Sequence, residues 1–181
     1  MAKIFQIKIS LKNTKPPIWR RIKIDAATDL ETFHYILQDV MGWTNSHLFE
    51  FTTSDKKRFS IVNDEFEDYE DTTEASEVTL QQVLKRKGSK LTYIYDFGDW
   101  WEHQILLEEQ TNGPELEIPI CITGKKACPP EDCGGLWGYY DMLEVIKDKK
   151  HVEHKEMLEW LGSDFDPDHF DKNEVNGLLE N

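Results

Sequence analysis

Residues 90–109, "KLTYIYDFGDWWEHQILLEE", decide the fold, because they read as a strand, a tight turn and a returning strand. Phe97-Gly98-Asp99 supplies the turn: glycine reaches positive φ without a Cβ clash, and an aspartate bonds its own backbone. In the returning strand a period of two puts Trp101, His103, Ile105 and Leu107 on one face, with Glu102, Gln104 and Glu108 on the other. His103 therefore points with the apolar residues.

Two further hairpins flank this one. "KIFQIKISL" (3–11) alternates, with Phe5, Ile7, Ile9 and Leu11 on its apolar side, and "IWRRIKI" (18–24) returns after the break "NTKPP". "HLFEFTT" and "KRFSIV" form the other pair. Between the pairs, Thr28 with Glu31 reads as a capping box for a helix whose face is Leu30, Phe33, Leu37, Val40 and Met41, ended by Gly42. Residues 64–77 hold eight acids and no base, an exposed acidic loop. Thr79 and Gln82 then open a short helix, "TLQQVLKRK", closed by Gly88.

The expected class is α+β: a mostly antiparallel sheet built from three hairpins in the order β-β-α-β-β-α-β-β, β-grasp-like in its first half, with C-terminal helices packed on it. The chain, residues 1–181, is expected to be one domain. Residues 1–109 form the sheet, 110–135 a Pro/Gly/Cys loop and 136–181 the helical part. The first of those helices runs from Leu136 to Lys147 with Leu136, Tyr139, Tyr140, Leu143 and Ile146 as its core face, and "HKEMLEWLG" is the next, stopped by Gly162. Asp166 before Pro167, and Asp171 with Glu174, mark helix starts in the tail.

The net charge of −14 is unevenly spread: residues 1–60 carry +4 and residues 61–181 carry −18. An acidic chain is repelled by a phosphate backbone unless its basic clusters converge on one face, so nucleic acid is a disfavoured partner. Those clusters are Arg20-Arg21-Lys23, Lys56-Lys57-Arg58 and Lys85-Arg86-Lys87-Lys90. No apolar run reaches the roughly 20 residues of a membrane helix, and the opening residues carry no signal or transit pattern. A cytoplasmic protein is expected, with no membrane partner.

Three features could carry chemistry. Asp164, Asp166 and Asp168 have the spacing that begins a calcium loop, but His169 and Val175 stand where that loop needs Gly and Glu. Cys121, Cys128 and Cys133 match no C-x-x-C template, although His103, His151 or His154 could complete a zinc set with them. No disulfide framework, resident metal or other cofactor is expected. The third feature joins the hairpin to "PPEDCGG" (129–135): if that loop packs on the turn, Asp96 or Asp99, His103, Glu131 and Asp132 meet between aromatic walls supplied by Trp101 and Tyr139. Carboxylates beside an imidazole could serve general acid/base chemistry or hold a hard metal. The plainer reading makes His103 a core histidine, Asp99 a turn former and Glu131-Asp132 helix-terminal charge. No G-x-S-x-G, G-x-G-x-x-G, Walker loop or H-E-x-x-H is present.

"YDFGDWWEH", "PICITGKKACPPEDCGG", "GYYDML" and "EWLGSDFDPDHFD" followed by "VNGLL", with the opening "IFQIKISLKNTKPPIWRRIKI", together resemble the Ri-plasmid ORF-three-like family, over almost the whole chain. The resemblance implies a single α+β domain associated with plasmids and mobile elements, and little biochemistry. Family-like positions include Trp43, His47, Asp99, Trp101, His103, Pro129, Glu131, Asp132, Gly134, Gly135, Gly138 and Tyr139, while Trp100 departs from the family's small residue there. Prokaryotic members are often labelled TnpR, but a serine recombinase needs an arginine-rich serine site and a basic DNA-reading helix-turn-helix. The acidic second half offers neither. The expectation is a binding or interaction domain, with an unknown protein partner and room for homo-oligomers. The alternatives are a hydrolase or nuclease-like activity at Asp99, His103, Glu131 and Asp132, and nucleic-acid binding by the basic N-terminal half.

Overall fold

The computed structural model describes residues 1–62, 71–162 and 165–180. β1 (Ala2–Leu11) and β2 (Trp19–Asp25) form the first hairpin and lead into α1 (Leu30–Met41). β3 (Phe49–Thr53) pairs antiparallel with β4 (Arg58–Ser60), followed by β5 (Thr72–Glu74), a 3-10 turn at Ala75–Glu77 and α2 (Leu80–Val83). β6 (Lys90–Tyr95) and β7 (Trp101–Gly113) are the decisive hairpin, and β8 (Ile120–Lys125) precedes α3 (Gly135–Lys147), α4 (His154–Leu161) and α5 (Lys172–Leu179). The described strands make one eight-stranded sheet in the order β5-β4-β3-β6-β7-β1-β2-β8, antiparallel except for β4 with β5.

The three hairpins follow from alternation. Phe5, Ile7 and Ile9 of β1 and Trp101, His103, Ile105 and Leu107 of β7 are all buried on the face that α1 covers, where Phe33 stacks on Phe51 with ring centroids 5.8 Å apart. The opposite face is polar: Arg21 grips Glu108 through two bonds of 2.6 and 2.9 Å, and Gln6 donates to the same carboxylate at 3.0 Å. The guanidinium hydrogen bond holds the Glu108 pKa below the usual carboxylate range. This one-sided burial is what an antiparallel sheet with helices on one face requires.

Several elements differ from the sequence expectation. The 110–135 stretch is not all loop: β7 runs on to Gly113, and Ile120–Lys125 pairs with β2, filling the hydrogen-bonding edge β2 would otherwise expose. Its Pro- and Gly-rich neighbours hid six residues of strand. Of the acidic loop, Thr72–Glu77 is a short edge strand and turn with Ala75 buried, while 64–70 lies outside the described residues. The N-cap of α1 is Asp29, not Thr28, because the Asp29 carboxylate reaches the Thr32 N–H at 2.8 Å. α2 stops at Val83, leaving 85–89 as a turn. The core side of α3 is Tyr139, Met142 and Val145, one step round from the expected Leu143 and Ile146. Pro167 and Asp168 form a turn rather than a helix, whereas Asp171 caps α5 as its spacing predicts.

Candidate functional site

The turn from β6 to β7 is built differently from its sequence reading. Positive φ falls on Asp96 (57°) and Trp100 (58°) rather than on Gly98. Asp96 Oδ1 accepts the Gly98 N–H at 2.8 Å, closing the turn on itself, and an aspartate tolerates the left-handed region better than most residues. Its other oxygen lies toward His47. Trp100 is half exposed, with Phe97 beside it at 6.1 Å between ring centroids.

"PPEDCGG" does close on this hairpin, through four anchors. Trp43 Nε1 donates to the Pro129 carbonyl at 2.9 Å, the Tyr95 hydroxyl donates to Glu131, the Thr44 N–H donates to the same carboxylate at 3.0 Å, and the Gly134 N–H donates to Asp99 Oδ2 at 3.1 Å. Burial works against the Glu131 carboxylate, but the hydrogen bonds from Thr44 and Tyr95 outweigh it and hold its pKa below the ordinary value. Burial and the Glu131 charge both push the Tyr95 pKa up. Glu131 and Asp99 are therefore fasteners: Glu131 ties the loop to Thr44 and Tyr95, and Asp99 ties it to the hairpin turn.

Close packing sets the rest of the loop. An added Cβ on Gly135 would lie 2.5 Å from the Asp99 carbonyl, and one on Gly138 would lie 1.8 Å from the Cys133 carbonyl. Gly138→Ala should therefore displace the start of α3 and cost about 1–3 kcal/mol. A melting temperature equal to that of the wild type would show that the loop does not rest on α3 in this way.

His103 does not join the carboxylates. It is fully buried, its ring 5.3 Å from both Trp43 and Tyr93, and neither ring nitrogen has a hydrogen-bond partner of good geometry. Burial lowers its pKa to about 4, so the neutral ring is the stable form. Trp101 and Tyr139, expected as pocket walls, are also core residues, Trp101 through the two-residue period it shares with His103 and Tyr139 on the buried side of α3. The thiols are dispersed. Cys121 is buried in β8, Cys128 lies between Arg20 and Met41, and Cys133 precedes α3, where burial and then Asp99 raise its pKa to about 12. Asp166 Oδ1 accepts the Asp168 N–H at 2.9 Å and Asp168 pairs with Lys126, so both serve the tail turn, while Asp164 lies outside the described residues.

The cluster that does form is His47, Asp96 and Asp132. Its ligand atoms all lie within 4.8 Å of one another, and among the described residues it is the one such group of three His, Cys, Asp or Glu side chains. His47 Nε2 is 3.0 Å from Asp132 Oδ1 and 3.7 Å from Asp96 Oδ2. That nitrogen is shut off from solvent, yet neither approach has the alignment of a hydrogen bond. Of the carboxylates, Asp96 is nearly buried and Asp132 is mostly exposed. Around a zinc-sized ion with ligands at about 2.1 Å, tetrahedral neighbours stand about 3.4 Å apart, between the two distances seen. Sequence alone marks Asp132 as a candidate and leaves Asp96 and Asp99 as alternatives at the turn. His47 entered through the family resemblance alone, and its signal is pairing register: Phe49 opposite Tyr95 sets the residues before β3 against the turn after β6.

A family model described as plasmid pRiA4b ORF-3-like protein matches residues 3–174. The chain belongs to the plasmid pRiA4b ORF-3-like family. It is 38% identical over 168 residues to the uncharacterized protein y4hQ of Sinorhizobium fredii, covering 92% of this chain and 85% of that protein. It is also similar to a crystal structure described as a protein of unknown function, MM3350, from Methanosarcina mazei Go1, with a TM-score of 0.86, 36% identity and coverage of 97% and 98% of the two chains. Within the ORF-3-like fold of this chain, Trp43, His47, Glu131 and Asp132, all carried over from the resemblance, lie along the contact between residues 43–47 and the 129–135 loop. Among the described residues no helix is long and apolar enough to cross a membrane.

Proposed function

We propose that this ORF-3-like protein is a binding domain whose ligand site is organised by a divalent cation held by His47 Nε2 and the carboxylates of Asp96 and Asp132. The observation that carries this reading is the His47 nitrogen, closed to solvent and flanked by two carboxylate oxygens without a hydrogen bond to either. A buried polar atom left in that state costs free energy unless something binds it. One imidazole with two carboxylates suits a borderline first-row ion such as Zn2+ or Mn2+, with coordination positions left for a ligand. Beside Asp132 a groove of about 390 Å³ runs between α3 and α4, walled by Met142, Met157 and Trp160 and edged by Asp141, Glu153 and Glu156. Its apolar walls and acidic rim favour a protein partner presenting a basic segment. A hydrolytic reading through His103 finds no support, since that ring cannot reach a substrate; any such chemistry would have to run at the His47 centre.

Dialysis against Zn2+ or Mn2+ followed by elemental analysis tests the proposal. One bound equivalent is expected, with affinity falling at least tenfold in Asp132→Asn, whose exposed side chain leaves folding intact. Absence of binding at tens of micromolar metal, or an unchanged affinity in Asp132→Asn, would overturn it.

A further inference from the structure

A groove of about 1120 Å³ lies at the other end of the sheet from the C-terminal strand β8. One wall is the β3–β4 turn, 53–57, the other is the 85–90 turn that replaces the end of the expected helix, and Phe59 and Val83 line it between them. Lys57, Lys85, Arg86, Lys87 and Lys90 converge here, and among the described residues Asp55 is the one acid lining it. Two of the three basic clusters therefore meet on one face, the second through Lys57 alone, since Arg58 is bound to Glu50 at 2.7 Å. The third does not: Arg20 is buried against the Phe170 ring and Cys128, and Arg21 is bound to Glu108.

Both walls are stiff. The Thr53 and Lys57 N–H groups bond across their turn to Lys57 O and Thr53 Oγ1, each at 3.0 Å. The Arg86 N–H bonds Ser89 Oγ at 3.1 Å, and the Gly88 N–H ties the second turn to Leu107 O at 2.8 Å. Lys57 has an exposed pairing with Asp55 at 3.8 Å. Among the described residues, Lys85, Arg86, Lys87 and Lys90 have no acid within ion-pairing distance. A chain of net charge −14 thus holds five cations together with, among the described residues, a single counter-charge, an arrangement that an entering anion relieves.

The lining also states which anion. Hydroxyls of Ser54, Thr73 and Ser89 stand among the cations, the donor mixture that suits phosphate oxygens. Among the described residues the sole aromatic lining the groove, Phe59, is buried, so none of them offers a ring for stacking bases, as single-strand binders require. A long duplex would leave the groove and cross acidic surface, beyond the roughly 8 Å over which the cations act at physiological salt. We propose that this groove binds a compact, multiply phosphorylated small molecule through its phosphate groups.

Calorimetric titration with inorganic tripolyphosphate at low salt provides the test. Sub-millimolar affinity is expected for the wild type, weakening at least tenfold in Lys87→Glu/Lys90→Glu, whose substituted side chains are exposed and leave the melting temperature unchanged. Absence of binding at millimolar tripolyphosphate, or equal binding by the double variant, would overturn the proposal. So would tighter binding of a single-stranded or duplex oligonucleotide than of tripolyphosphate, which would make the groove a nucleic-acid surface instead.

Discussion

Acidification from about pH 7.5 to about pH 5 is expected to remove several kcal/mol of folding stability, through two buried histidines. Burial lowers the pKa of His34 and of His103 to about 4 each, whereas an unfolded histidine titrates near 6.5. Between those values the unfolded chain binds protons that the native chain refuses. Stability is therefore fully present above about pH 6.5 and is lost as the pH falls toward 4, by roughly 3 kcal/mol for each ring once both states are protonated. Total stabilities are roughly 5–15 kcal/mol, so this share is large. The His34 network shows why protonation is refused: Nε2 is 2.7 Å from Asn45 Oδ1, and Nδ1 is 2.8 Å from the Tyr93 hydroxyl, which already accepts from Gln38. With Nε2–H donating to Asn45, Nδ1 accepts the Tyr93 proton, and a second ring proton would set donor against donor. His169, whose pKa Glu174 raises, acts in the opposite sense but is exposed and screened. Urea midpoints at the two pH values measure the effect, and His103→Leu should flatten the dependence. Equal midpoints at both pH values in the wild type would refute this account.

The fold was legible wherever burial is periodic. β1, β6 and β7 alternate because one face meets α1 and the other meets water, and that pattern is written residue by residue. β8 and β5 were not legible, because an edge strand needs only a few backbone bonds, and neither Ile120–Lys125 nor Thr72–Glu74 has an apolar face long enough to announce itself. For the site, sequence proximity misled. His103 and Asp99 stand in one nine-residue stretch, yet pairing sends His103 inward beneath Trp43 and leaves Asp99 on the loop. His47 and Asp132 are far apart in sequence and meet only because "PPEDCGG" crosses the end of the sheet. Chemistry assembled by tertiary crossing leaves no local spacing to read.

Trp43→Ala is expected to cost about 3–5 kcal/mol, the range for removing a large buried ring, and to abolish cation binding at the His47 centre. Trp43 follows the Gly42 cap of α1 and is nearly buried. Its ring stacks on Tyr95 at 5.0 Å and meets His103 edge-on at 5.3 Å, while its indole N–H holds the Pro129 carbonyl. One side chain thus joins the end of α1, the β6–β7 hairpin and the loop that carries Asp132. Trp43→Phe separates the two roles, since it keeps an aromatic face against Tyr95 but leaves the Pro129 carbonyl without its donor, at about 1–3 kcal/mol. Most of the stability should survive in this variant, while Asp132 loses its fixed distance from His47 and the affinity for Zn2+ or Mn2+ falls. Thermal melts and metal titration of both variants read these effects apart. Full metal affinity in a folded Trp43→Phe protein would mean that Glu131 and Asp99 hold the loop unaided and that Trp43 serves packing alone.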